Sequence, residues 1–496
     1  MSTQQSFDPV ETTIGDIHAA YQAGRLTARQ LVRMYLDRID AYEKNGPALN
    51  AITNLNAQAL ADADRLDAAL KTSGLVGPLH GIPMVLKDQC DAKGMATTLG
   101  SVLFKDFHPD RDAFVVDKLR RAGAIILAKA TLGEMGGGDT HGSLFGSTRN
   151  PYDPERTVGG SSGGSAACVA ANFATLAIGQ EGYASIRRPA IWNCIAGMRP
   201  TAGLVSRGGV YAGWPSINGS LGPMSRTVTD LAKLLDVMVG YDPADPITAH
   251  GVGHIPESYA TGLSADGLQG ARIGILREPM GNNVEPDSAD FAKVDAVFDR
   301  AVAELRAAGA VLVDPIVIPE LKALLALRAG NPAEEDESFA AYFGGCAAAP
   351  FRSRAEAMAS PLFAETLRGV RARWTKAAPP GAHHEYLKAR DRLMTLMLKV
   401  MADHRLDAIV HKAVEHQPTL IVDGLRPPYV DHKGAPHLNT FLVFVPSIVV
   451  PAGFTSDNLP AGITFLGRPY DDARMIRLAY AYEQATRHRR PPASTP

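Results

Sequence analysis

The sequence predicts an α/β protein, and three observations carry that expectation. Short apolar runs alternate with segments of helical periodicity from about residue 80 onwards. Two capped helices precede them, placed to form an outer layer. The same alternation resumes after a long polar interruption and continues to the C-terminus. This rhythm points to a largely parallel sheet covered by helices.

Thr13 with Asp16 three residues later, followed by Ile14, Ile17 and Tyr21, predicts a capped amphipathic helix ended by Gly24. Thr27 with Gln30 repeats the capping pair, and Leu31, Met34, Tyr35, Leu36 and Ile39 recur at helical spacing. Strand-like runs follow at Met84–Leu86 and Ala124–Leu127, with helices near Ala113–Ala122 and after Ser165. From Asp242 to about Leu268 the chain is rich in Pro, Gly, His and Asp, which reads as a surface connection. The runs Ile273–Leu276 and Val311–Ile318 flank a helix over Asp290–Ala308. Between Pro319 and His384 lie Ala-rich, charged stretches broken at Pro332, Pro350 and Pro379, the pattern of a helical cap. Strands return at Ala408–Val410 and Ser447–Val450, and a helix over Asp472–Thr486 leads into the basic tail Arg487–Arg490, read as solvated.

With 496 residues, 46% apolar and 21% charged, the chain can bury a large core. A net charge of −2 creates no field for nucleic acid or anionic lipid, so a small molecule is the expected partner. Cys90, Cys168, Cys194 and Cys346 are scattered without metal-ligand spacing, which favours reduced thiols in a cytoplasm and neither a disulfide framework nor a metal site. The N-terminal stretch lacks a basic region followed by an apolar one, and no run reaches the ~18 apolar residues of a membrane span.

The chemistry concentrates in TVGGSSGGSAACVAANFATLAIGQEGYASIRRP, from Thr157 to Pro189. Four glycines surround Ser161 and Ser162, and glycine is costly to order, so this backbone must turn sharply and present its amides. A flexible linker would not be locked between apolar segments, and a phosphate cradle would need the GxxxxGK[ST] arrangement. Ser185 closes a second loop, and a serine nucleophile needs a base. Ser185 does not sit in a GxSxG elbow, and no histidine near these loops has an evident Asp partner. Lys87 ends the apolar run Ile82–Leu86 in GPLHGIPMVLKDQ, where a strand would carry it into the interior and burial would favour the neutral amine, a competent base. A surface lysine closing a strand is the plainer alternative. Asp88 faces the opposite side of such a strand and need not pair with Lys87.

These segments resemble the amidase signature family, whose hallmarks are a GGSSGGS loop, a G-x-x-x-G-G-S-I-R segment and a lysine in GPLHGIPxxxKD. They stand here at Gly159–Ser165, Gly179–Arg187 and Gly77–Asp88. Ser185 follows Ser161 by 24 positions, the family's spacing. The likeness spans nearly the whole chain and is weakest from about Pro246 to Val445. It implies one α/β domain over residues 8–492, with a twisted mixed β-sheet core surrounded by α-helices, a helical layer over 10–75 and a substrate-dependent region at 246–445. It further implies an amidohydrolase in which Ser185 is the nucleophile, Ser161 relays protons and Lys87 is the base. Ser161 would follow a cis peptide, and the amides of Gly182, Tyr183, Ala184 and Ser185 would stabilise the oxyanion, one such donor contributing about 3 kcal/mol. Met135 and Gly137 correspond to positions near the acyl carbonyl. Aryl or alkyl amides, with esters or carbamates besides, are the implied substrates, with water the second reactant, no cofactor and a possible homodimer. The alternative is a glutamine-dependent amidotransferase subunit working with partner chains.

Where the family has Thr-Asp-x-Gly-Gly-Ser, this chain has Gln180-Glu181-Gly182-Tyr183-Ala184-Ser185. Tyr183 and Ala184 must then avoid positive φ or accept strain, the tyrosine narrows the pocket, and Glu181 becomes a structural partner for Arg187. A His141–Asp139 dyad is conceivable, although a lone loop histidine is more often solvated. Trp192 and Trp214 are expected in the core or at the acyl site.

Overall fold

Eleven strands drawn from nearly the whole chain join in one sheet in the computed structural model, which describes residues 7–211 and 219–496. In chain order they are β1 Ile52–Leu55, β2 Pro83–Lys87, β3 Ile125–Ala130, β4 Leu176–Glu181, β5 Ala196–Arg199, β6 Ser220–Ser225, β7 Arg272–Leu276, β8 Val311–Ile316, β9 Ala408–Lys412, β10 Ser447–Phe454 and β11 Pro460–Leu466. Their order across the sheet is β1-β3-β2-β4-β6-β5-β10-β11-β9-β7-β8. Helices flank it, giving a single-domain α/β fold.

The expectation of a largely parallel sheet is corrected. Parallel pairing is confined to two blocks, β3-β2-β4 and β9-β7-β8. All other neighbours in the sheet pair antiparallel. The reason is that β2, β3, β4 and β6 are buried along their entire length, so they read as apolar or small-residue runs whichever way they point. Direction is set by the connections. Only residues 455–459 separate β10 from β11, too few for a crossover, so those two form a hairpin.

Both predicted N-terminal caps form as reciprocal capping boxes, on the helices Ile14–Gln22 and Ala28–Tyr42. These helices are fastened to the sheet by tyrosines. The Tyr21 hydroxyl donates to the Gly81 carbonyl (2.8 Å), and the Tyr35 hydroxyl lies 3.0 Å from Thr175 Oγ1. Gly81, at φ +69°, is required here, because a Cβ would stand 2.7 Å from the Tyr21 ring. The helix Gly163–Ala170 lies against β2 and β4, and its small residues let it approach closely enough to be buried throughout.

Between β8 and β9 the predicted cap is present as helices Pro332–Gly344, Arg354–Ala359 and Arg368–Thr375, followed by the long helix Ala382–Asp403. Pro332 begins a helix, where its missing N–H costs nothing. An aromatic cluster of Phe104, Phe107, Tyr211, Phe339, Phe343 and Trp374 glues the cap to the body. The connection over 242–268 is irregular and is pinned by Arg207 to Asp245 (2.7 Å). Trp192 is core, donating its indole N–H to the His416 carbonyl (3.1 Å), and Trp214 lies outside the described residues.

The tail is only partly solvated: Arg487 and Arg490 are exposed, but His488 and Arg489, contrary to expectation, are engaged. Arg489 pairs with Glu11 (2.7 and 3.0 Å) and donates to the carbonyls of Ala170 and Cys194, while His488 lies 2.9 Å from Glu304. Clustered charge in a terminal sequence does not reveal that acceptors from four distant segments converge on it. Cys90, Cys168 and Cys194 are buried free thiols, and Cys346 is partly exposed. Among the described residues no helix is long and apolar enough to cross a membrane.

Gly81→Ala is expected to lower the free energy of unfolding by about 1–3 kcal/mol, since the added methyl must push Tyr21 off its carbonyl partner. Urea titration checks this, and unchanged stability would show that the contact is slack.

Candidate active site

The site forms where the parallel block ends. β2 and β4 are parallel neighbours in register from Met84–Leu176 to Leu86–Ile178, so the carboxyl ends of both open at one edge of the sheet. There Lys87 ends β2, fully buried. Its Nζ donates to Ser161 Oγ (2.8 Å) and to the Gln180 carbonyl (3.1 Å). Burial lowers the amine to about 7, opposed by the weaker attraction of Cys90 and Glu181. Asp88 faces the other way, as strand alternation demands, with its carboxylate 3.2 Å from Lys129 Nζ and accepting from Thr98.

Ser161 follows a cis peptide from Gly160. Its hydroxyl donates to the Gly136 carbonyl (2.8 Å) while accepting from Lys87, so it bridges the amine and the 133–138 loop. Its neighbour Ser162 ties the first serine loop to the second, its amide donating to the Ser185 carbonyl (3.0 Å). Ser185 is nearly buried, in the loop between β4 and the short helix Arg187–Trp192.

Glu181 fixes that loop from within. Its carboxylate accepts the amides of Ile186 (2.8 Å) and Arg187 (3.0 Å) and pairs with Arg187 Nε (2.7 Å). Arg187 in turn donates to the Tyr183 carbonyl (3.0 Å). The Tyr183 carbonyl is thus drawn to the arginine, and the amides of Gly182, Tyr183, Ala184 and Ser185 have no acceptor among the described residues. Neither Tyr183 nor Ala184 takes positive φ, so side chains at these two positions cost the backbone nothing. The Tyr183 ring stacks on His437 (4.7 Å between centroids), with its hydroxyl 3.1 Å from His437 Nδ1. Burial pulls that imidazole down to about 4, which keeps it neutral.

The Ser185 cavity, about 430 Å³, is lined by Tyr183, Ser185 and the glycines Gly136, Gly137 and Gly138. Arg328, Arg368, Arg373 and residues of the 424–432 segment line it as well. Gly182 instead lines an adjoining cavity of about 890 Å³ that shares Arg328 and Arg373. Met135, at φ +56°, turns its side chain into the aromatic cluster and leaves its carbonyl to accept from Arg373 (3.2 Å). The His141–Asp139 dyad does not form. Asp139 lies 2.6 Å from Arg188 Nη1, and His141 Nδ1 is 2.8 Å from the Ser147 hydroxyl. The cavity arginines, Tyr429, Asp431 and His432 carried no motif in the sequence. The only hint was the run of arginines in RGVRARW, indistinguishable there from a solvated helix face.

The amidase family profile matches residues 30–476. The chain belongs to the amidase signature family. It is an amide carbon–nitrogen hydrolase by that membership. Its sequence is similar to a probable amidase of Arabidopsis thaliana, 33% identical over 98% of this chain and 92% of that one. It is likewise similar to a glutamyl-tRNA(Gln) amidotransferase subunit of Halorhodospira halophila, 35% identical over 96% and 97%. Among solved structures, peptide amidase from Stenotrophomonas maltophilia superposes with a TM-score of 0.85 at 35% identity, covering 98% and 99% of the two chains.

Within this amidase, Glu181→Ala would strand the fully buried Arg187 guanidinium and two loop amides. A loss of about 3 kcal/mol in unfolding free energy is expected. A loss below about 1 kcal/mol in chemical denaturation would mean that water or a neighbour replaces the carboxylate.

Proposed function

We propose that this amidase cleaves a carboxylic amide through an acyl-enzyme on Ser185, with Ser161 as proton relay and Lys87 as base. The observation that carries the reading is the 2.8 Å contact between Ser161 Oγ and a lysine amine that burial brings to about 7. An uncharged amine has a lone pair to offer, and near neutral pH Lys87 holds it in a large fraction of molecules. In the reaction, Ser161 passes its proton to Lys87 Nζ and takes the Ser185 proton as Ser185 Oγ bonds to the substrate carbonyl carbon. The carbonyl π electrons move to oxygen, and the free amides of residues 182–185 receive that charge. Collapse breaks the C–N bond. The departing nitrogen takes a proton from Ser161, which is resupplied by the Lys87 ammonium. Water then adds to the acyl carbon, giving its proton to the same relay, and the acid leaves as Ser185 is reprotonated. The substrates fitting this reading are small aryl or alkyl amides, with esters and carbamates open to the same attack.

The likeness to the glutamyl-tRNA(Gln) amidotransferase chain supports a second reading, in which the same site deamidates glutamine and passes ammonia to a partner chain. Tyr183, stacked on His437 in place of a family glycine, and Arg188, held by Asp139, weigh against it.

Intact mass after exposure to phenylmethylsulfonyl fluoride is expected to show one adduct, absent from Ser185→Ala. Hydrolysis of a p-nitroanilide panel by the chain alone should fall on the order of 10³-fold or more in Ser185→Ala and Lys87→Ala. A folded wild type with neither adduct nor turnover would move the assignment to the partner-dependent reading. The pH dependence has a definite sign. Lys87 serves as base only when unprotonated, so kcat/KM should rise with pH through about 7 and level above it. A profile flat from pH 5 to 8 would remove Lys87 from the role.

A further inference from the structure

The Ser185 cavity carries more cationic charge than its own carboxylates engage. Arg328, Arg368 and Arg373 line it, and none of the three has an ion-pair partner among the described residues. The acids on the same walls are committed elsewhere. Asp139 is held by Arg188 (2.6 Å). Asp431 accepts the Asp139 amide (2.9 Å) and lies 3.0 Å from His432. Glu134 accepts the Ser143 hydroxyl (2.5 Å) and the Leu367 amide (2.8 Å). In the adjoining cavity Glu334, Glu335 and Glu385 face His383, Arg354 and Lys388.

Two of these arginines stand at the junction of the cavities, each planted on a loop that frames the serines. Arg328 lies over the ring of Tyr183, 4.8 Å from its centroid, and that tyrosine is two residues from Ser185. Arg373 donates Nη2 to the Met135 carbonyl (3.2 Å), and its Nη1 fills the space a Cβ on Gly137 would need. Gly137 therefore admits the guanidinium, directly after the residue whose carbonyl accepts from Ser161. A guanidinium presents five N–H groups in a planar fork matched to a carboxylate, and Arg373 spends one of them on Met135. Its ring contact leaves Arg328 the rim of the fork to donate. Arg328 is exposed and Arg373 half-buried, and unpaired charge lining the cavity that holds Ser185 is a recognition element for an anion.

Building on the acyl-Ser185 reading, we propose that the amide substrate bears a carboxylate, held between Arg328 and Arg373 while its amide carbonyl lies at Ser185. The carboxylate could sit on the acyl half or on the leaving amine, and the test separates the two.

The readout is protection of Ser185 against labelling by neutral phenylmethylsulfonyl fluoride, which needs no turnover. N-phenylsuccinamate is compared with butyranilide for the acyl half, and 4-acetamidobenzoate with acetanilide for the amine half. One charged member should half-protect at a concentration roughly ten- to a hundredfold below its neutral partner. Arg328→Gln and Arg373→Gln should bring that ratio towards one. Gly137→Ala, which displaces Arg373 without removing its charge, should lower it too. Thermal melting identifies any variant that fails to fold. A ratio near one for both pairs in the wild type, or a ratio untouched in both folded arginine variants, overturns the carboxylate assignment alone. Absence of Ser185 labelling in the wild type overturns the acyl-enzyme reading and this inference with it.

Discussion

Lys87 has to satisfy its amine in a dry interior without a carboxylate against it. It does so with one hydroxyl and one carbonyl, Ser161 and Gln180, and burial brings the amine to about 7. An acid in contact would have held the ammonium form. The one adjacent in sequence, Asp88, is kept on the opposite face of β2 with Lys129. The parallel pairing of β2 with β4 brings the Gln180 carbonyl and the second serine loop alongside the lysine.

Around that amine, the charges that are present serve as fasteners. Glu181 spends its carboxylate on two backbone amides and Arg187, closing the loop that carries Ser185. Arg188, paired with Asp139, donates to the Gly160 carbonyl (3.0 Å) and steadies the loop that carries Ser161. Buried pairs of this sort add little net stability, since desolvation offsets the attraction. What they supply is position: the Tyr183 and Gly160 carbonyls are drawn to arginines, and the amides of residues 182–185 are left without an acceptor among the described residues.

The cap adds a different layer. Aromatic side chains at 339, 343 and 374 pack against Phe104, Phe107 and Tyr211, which holds the arginines of the 328–373 stretch over the serine loops. Lys87 thus stands at a strand end of the sheet, while the cavity around Ser185 draws its arginines from the helical insertion between β8 and β9 and further residues from the 424–432 segment. Such a division lets pocket chemistry change while the floor stays fixed.

Much of this was legible in the sequence because it rests on local rules. The Thr13 and Thr27 caps, the terminal helix over Asp472–Thr486, the lysine at a strand end and the two glycine–serine loops all depend on residues within a few positions of one another. Strand direction was not legible, since strands buried on both faces read the same either way. Nor was the fate of Arg489, whose acceptors come from residues 11, 170 and 194. Local patterns in the chain specified the elements and the chemical types at the site. Packing in three dimensions settled that Lys87 has no acid beside it, that Met135 faces the core while its carbonyl faces Arg373, and that three arginines share the cavity with Ser185. Those facts depend on contacts between residues far apart in the chain, and no local pattern encodes which distant side chain will supply a buried group's partner.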